Sequence, residues 1–219
     1  MYRATKIIRV FAGATVFTTA ACSPPPPDES SYTDRLLTDR AATDEWMRTA
    51  PDSPIPLDRR SWMLPLLYYE PDLTYRVPAQ LRIGNEQPVF EIPTTTGELR
   101  DMKLVGKLEF VLNGEPRTLS ALIEVPVQSV DRLFVPFSDE TSRNETYRGG
   151  RYLDLDATPT GIYDLDFNRA YHPYCYFDES YDCPFPPSEN RLTTAVRAGE
   201  KLPPPSKRRI DLDLTITPL

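Results

Sequence analysis

Lys107-Leu108-Glu109-Phe110-Val111-Leu112-Asn113-Gly114-Glu115-Pro116-Arg117-Thr118-Leu119-Ser120-Ala121-Leu122-Ile123-Glu124-Val125 decides the architecture. Two β-prone runs, Lys107–Leu112 and Thr118–Val125, flank Asn113-Gly114. Asn-Gly tolerates the positive φ angles of a tight two-residue turn, so the stretch predicts a β-hairpin. The same period of two extends outward from it. Leu73–Ile83 alternates imperfectly around Tyr75, Val77, Leu81 and Ile83. Leu133-Phe134-Val135 predicts a short buried strand, and Ile210, Leu212, Leu214 and Ile216 predict one half-buried strand at the C-terminal end. Short strands at turn-rich spacing predict a mainly β, single barrel- or sandwich-like domain over residues 32–219.

Only one stretch has good helical character. Tyr32–Thr49 has Ser30 or Ser31 to cap it, Asp34 in its first turn and Pro51 to end it. Tyr32, Leu36, Trp46 and Met47 give it a thin apolar stripe, so the helix is expected on the side of the domain. From Phe134 to Lys201 the chain is expected to form an ordered, Pro-rich loop layer. Proline makes up 24 of the 219 residues, about twice the usual share.

The N-terminal end carries an address. Arg3, Lys6 and Arg9 precede a short apolar run from Val10 to Thr19, then Ala20-Ala21-Cys22-Ser23. A basic start, a short apolar segment and small residues before the cut predict a secretory signal over residues 1–21. The cysteine straight after them resembles a bacterial lipoprotein signal, although Thr19 stands where that motif usually has Leu or Val. The expectation is lipid on Cys22, a Pro-rich tether over residues 22–31, and a place in the bacterial cell envelope. The domain would face the periplasm, or sit on the outer membrane where the cell has one. The membrane partner would be reached through the lipid, since ten apolar residues are about half of what a span needs.

Net charge is −7, and removing residues 1–21 takes away three cations and no acid, leaving −10. Such a surface argues against nucleic acid, whose phosphates need a basic face. Remaining partners are a small polar ligand or another envelope protein.

Dense motifs run from Phe134 onward: Pro136-Phe137-Ser138-Asp139-Glu140-Thr141, Gly150-Arg151-Tyr152-Leu153, Asp166-Phe167-Asn168-Arg169-Ala170-Tyr171-His172-Pro173-Tyr174-Cys175, Cys183-Pro184-Phe185-Pro186-Pro187-Ser188-Glu189-Asn190-Arg191-Leu192 and Ala198-Gly199-Glu200-Lys201. This string resembles the uncharacterised bacterial family named domain of unknown function 1684. The likeness is dense over residues 134–201 and looser back to Ser61. His172 departs from the pattern, which has Asn there. The resemblance implies fold membership and no reaction.

Within this segment Asp139, Asp166, Glu189 and Glu200 alternate with Arg151, Arg169, Arg191 and Lys201, interleaved by Tyr147, Tyr152, Tyr171 and Tyr174. The mix suits a polar pocket with aromatic walls. It equally suits a network that holds proline-rich loops in place. Asp139, Arg151, Asp166, Asn168, Glu189, Asn190 and Arg191 are expected to form one polar cluster. An alternative role is a hydrolase using the carboxylates of Asp139, Asp166 and Glu189.

Other chemistry finds little support. Three Asp-Leu-Asp pairs, Asp154/Asp156, Asp164/Asp166 and Asp211/Asp213, place two carboxylates on one strand face, where they could serve as acid and base or bind a hard cation; the plainer reading, taken for Asp211/Asp213, is a solvated strand face. Asp164-Leu165-Asp166-Phe167-Asn168 opens like a calcium loop, but Arg169 and Cys175 occupy positions that need Gly and Glu. Cys175 and Cys183 are the thiols left beside Cys22, and an oxidising envelope favours a disulfide between them. The single histidine, His172, makes a poor triad or zinc site. No nucleophile elbow, zinc-protease helix or nucleotide-binding glycine loop is present, so no cofactor and no metal are expected and catalytic residues are unknown.

Overall fold

In a computed structural model, residues 29–126 and 131–204 are described. The expected signal peptide, Cys22, the tether up to Asp28 and the final strand over residues 210–217 lie outside them. Among the described residues no helix is long and apolar enough to cross a membrane.

Helix α1 runs Glu29–Thr49 and the short α2 runs Arg60–Met63. Helix α1 begins three residues before Tyr32, so it takes up the end of the expected tether. Seven strands follow: β1 Arg76–Arg82, β2 Val89–Pro93, β3 Leu99–Leu112, β4 Glu115–Glu124, β5 Arg132–Phe137, β6 Arg151–Asp156 and β7 Ile162–Asp166. All pair antiparallel in one sheet, in the order β6-β5-β4-β3-β1-β7, with β2 against the first half of β3. The two end strands, β6 and β7, come into contact without a ladder, so the sheet is barrel-like and nearly closed.

The β3–β4 hairpin turns on Asn113 and Gly114, at φ 54° and 81°, with Leu112 opposite Glu115. Both positive angles match the turn that right-handed strand twist demands, and Asn-Gly adopts them at low cost. Leu108, Phe110 and Leu112 of β3 face inward with Leu119 and Ala121 of β4. Val135 and Phe137 of β5, Leu153 of β6 and Leu165 of β7 complete the interior, and Phe167, Leu192 and Val196 plug it from the loops.

Two expected elements are corrected. Leu73–Tyr75 is a 3-10 turn and the strand starts at Arg76. Asp72 Oδ1 accepts the backbone N–H of Thr74, which winds those residues locally before pairing begins. The loop layer is not continuous either, because β6 and β7 run through it. Their short apolar content, Leu153/Leu155 and Tyr163/Leu165, was masked by the acidic residues between.

Candidate functional site

The seven residues expected to cluster fall into three separate arrangements and the solvent. Arg151 opens β6 and is 1% exposed. Its Nη2 donates to Asp139 Oδ2 at 2.7 Å and to Val196 O at 2.7 Å; Nη1 donates to the carbonyls of Ala198 and Glu200. Asp139 in turn accepts from Thr141 and from the N–H of Val196. This pair therefore pins the C-terminal loop against the sheet.

Asp166 ends β7 beneath α1. It accepts the hydroxyl of Tyr32 at 2.8 Å and both the backbone and side-chain N–H groups of Asn168 at 3.0 Å. Asn168 then clamps Asp72 through its N–H (2.9 Å) and its carbonyl (2.8 Å). Asn190 forms the third arrangement: Ser120 N–H donates to it, and it donates to the carbonyls of Ser120 and Pro136. Glu189 and Arg191 are exposed. Asp139, Asp166 and Glu189 therefore do not converge, which removes the carboxylate trio expected of a hydrolase.

The cysteines also differ from expectation. Cys175 and Cys183 are free, buried thiols. They are neighbours, with the N–H of Cys175 donating to Cys183 Sγ at 3.2 Å. The thiol–thiol hydrogen bond pushes Cys175 up and Cys183 down in pKa, so Cys175 is the later of the two to lose its proton. The Asp-Leu-Asp pairs take ordinary partners: Asp154 accepts from Tyr171, Asp156 meets Arg132 and Asp164 meets Arg76. No group of His, Cys, Asp and Glu among the described residues is arranged to hold a metal ion.

A concave site does exist, and of the seven residues expected to cluster only Asn168 lines it. A cleft of about 680 Å³ lies between α1 and the outer face of the sheet. Helix α1 supplies Arg40, Thr43 and Trp46; β3 and β4 supply Arg100, Met102 and Glu124; Phe134, Tyr152 and Asp154 come from β5 and β6. The loop layer contributes Tyr171, His172, Tyr174 and Tyr181, and Tyr68 and Glu200 close the inner end.

Glu200 is held there by its neighbours. Gly199 has φ 76°, and a Cβ on it would collide with the Ala170 carbonyl, so only glycine lets the chain pass so close. Tyr69 N–H then donates to Gly199 O, Glu200 N–H to Ala170 O and Lys201 N–H to Leu67 O. Burial pushes the Glu200 carboxyl up to about 8. Burial, and then Arg151, push His172 well below the usual imidazole value. His172 Nε2 accepts the N–H of Tyr147, so the ring proton is on Nδ1, 3.4 Å from Glu200 Oε2. That geometry makes the contact one between neutral groups, not an ion pair.

Glu200 was legible as an acid in an Arg- and Tyr-rich string. Arg40, Tyr68 and Trp46 were not assigned to a site. One signal was available: Arg40 follows Tyr32 and Leu36 at intervals of four, on the buried stripe of α1, where a charge needs a reason.

Residues 65–201 match the model of the family described as Protein of unknown function (DUF1684). This chain belongs to that family. Tyr68, His172 and Glu200 lie inside the matched segment, whereas Arg40 and Trp46 of α1 precede it. A solved structure is similar over 80% of this chain and 96% of its own, at 34% identity and a TM-score of 0.63. It is the solution NMR structure of the uncharacterized protein from gene locus rrnAC0354 of Haloarcula marismortui. No curated protein matches the chain.

Proposed function

We propose that this member of the DUF1684 family is a binding module for a small polar ligand, tethered to the cell envelope through lipid on Cys22. The cleft carries the reading. Its volume of about 680 Å³ lies within the range of about 300–1,000 Å³ usual for small-molecule sites. Its wall combines apolar faces (Trp46, Phe134, Tyr171, Tyr174) with charged groups at both ends (Arg40 and Glu200; Arg100 and Asp182). Aromatic faces take the apolar side of a ligand, and the charged ends set its orientation. The tether rests on the sequence around Cys22, and its ligand-gathering role would be to hold the cleft near the membrane surface.

Trp46 lies on the cleft and is 39% exposed, so its fluorescence reports occupancy. In a Trp62→Phe background, a panel of small polar molecules should include members that change Trp46 emission saturably. Loss of that change in Tyr171→Ala, with the fold retained by circular dichroism, supports the cleft as the site. A panel without a single saturable response, or responses that Tyr171→Ala leaves intact, refutes the reading.

A further inference from the structure

Three polar groups at the inner end of the cleft have spare hydrogen-bonding capacity. Arg40 lies over the Tyr68 ring, 4.4 Å from its centre, and is buried. Two of its nitrogens serve the carbonyls of Tyr69 and Asn168, while Nε has no partner among the described residues. Its hydrogen bonds go to carbonyls, and no carboxylate pairs with it among the described residues. Tyr68 pairs with Glu200 through an isolated antiparallel bridge, and burial and neighbouring charges, not a hydrogen bond among the described residues, act on its hydroxyl at the cleft. Glu200 uses one oxygen: Oε2 accepts the N–H of His172 at 2.8 Å and faces Nδ1, leaving Oε1 without a partner among the described residues. With Oε2 occupied by two donors, the carboxyl proton belongs on Oε1.

The geometry points to this inner end as a site for a small organic monocarboxylate with an apolar body. The inference rests on the cleft being the binding site and adds the chemical class. One carboxylate oxygen accepts hydrogen bonds from the Glu200 and Tyr68 hydroxyls, and the ligand charge adds to the field of Asp166 and Glu70 on the Arg40 guanidinium, which no carboxylate contacts directly among the described residues. Arg100 is already paired with Asp182 and Arg151 with Asp139, which leaves Arg40 as the cation at this end with no carboxylate in direct contact among the described residues. Asp39, Asp44 and Asp154 nearby disfavour a dianion such as a phosphate monoester. Trp46 and Tyr171 take the body.

Glu200 faces Arg40 and Asp44 from α1, Tyr68, His172 and Tyr171 from the loops, and Arg151 from β6. His172 stays neutral and the tyrosines stay protonated well above neutral pH, so Glu200 is the group that titrates there. Its ionisation sets a second negative charge against the ligand and removes the donor.

Benzoate is the probe, with benzamide and phenyl phosphate as comparators, titrated calorimetrically into the purified full-chain protein. Benzoate should bind more tightly than either, and its affinity should fall about tenfold per pH unit above the Glu200 pKa. Glu200→Gln keeps a donor and cannot ionise, so it should bind benzoate without that pH dependence. Tyr68→Phe should bind several-fold more weakly while melting like the wild type. Phenyl phosphate or benzamide binding as tightly as benzoate overturns the monocarboxylate site and leaves the cleft intact as a binding site. Benzoate failing to bind also overturns it. The broader reading falls if the polar panel gives no saturable response at Trp46, or one that Tyr171→Ala leaves intact.

Discussion

Arg151 Nη2 lies 2.7 Å from Asp139 Oδ2, and each side chain is 1% exposed. The same guanidinium caps the carbonyls of Val196, Ala198 and Glu200, so one side chain ties β6 to the last described turn of chain. Arg151→Ala leaves an enclosed carboxylate and three carbonyls without their donor. Breaking a buried pair from one side costs about 3–5 kcal/mol. Urea unfolding should show that loss, and Asp139→Asn a smaller one. A change in Arg151→Ala below about 1 kcal/mol would mean that water replaces the clasp.

Asn190 makes a second prediction. Its amide bridges Ser120 on β4 and Pro136 on β5 with three hydrogen bonds, at 0% exposure. Asn190→Asp cannot donate to the two carbonyls, and should cost about 2–4 kcal/mol, as leaving buried acceptors unpaired does. Glu189→Ala and Arg191→Ala flank it on the exposed side and should stay within about 0.5 kcal/mol. Thermal melts of the three variants check the contrast; similar losses at all three positions would contradict it.

Glu200 and His172 give stability a pH dependence whose sign differs by window. The Glu200 carboxyl is raised to about 8, so between the ordinary carboxylate pKa and that value the folded state holds a proton that the unfolded chain releases. Its contribution is complete in acid and is lost as pH rises to about 8. His172 is depressed, so its contribution is present above the ordinary imidazole pKa of 6.5 and is lost as pH falls below it. The two oppose each other below 6.5. From 6.5 to about 8 Glu200 acts without that opposition, and the urea midpoint should fall as pH rises. Glu200→Gln should flatten the slope in that window and be no less stable than wild type at its upper end. An unchanged slope in Glu200→Gln would assign the effect elsewhere.

The proposed anchor has its own check. Growth with a fatty-acid analogue should label the full chain, and Cys22→Ser should abolish the label and release the protein from the membrane fraction. Retained label in Cys22→Ser is the result that removes the tether.

The sequence was most informative where local chemistry decides the structure. Asn113-Gly114 marked the hairpin, and Tyr32 to Thr49 marked the helix to within three residues. The strands β6 and β7 were harder, because Asp154, Asp156 and Asp164 alternate with their apolar residues in runs too short to give a period. Acid–arginine alternation pointed to Asp139 and Arg151, but not to which partners each would choose. Those choices depend on long-range placement: Asp166 takes Tyr32 from 134 positions away, and Asn190 takes Ser120 from 70. Arg40 and Tyr68 were missed for the same reason. Their meaning arises only when α1 is laid across the loop layer.

Strands β1 and β7, although neighbours in the sheet, are far apart in the chain: Arg76 pairs with Asp166. Tyr32 must wait for Asp166, and Arg151 for Ala198. A nascent chain emerging N-terminus first can therefore pair β1 and β2 with β3 early, but closes neither β1 on β7 nor α1 on Asp166 until much later. Such non-local topology is slow to close. Ribosome-bound lengths that stop before residue 198 should remain protease-sensitive, and commitment to the folded state comes only once nearly the whole described chain is free. A polypeptide built this way stays threadable late in its synthesis, which suits passage through a narrow pore before folding.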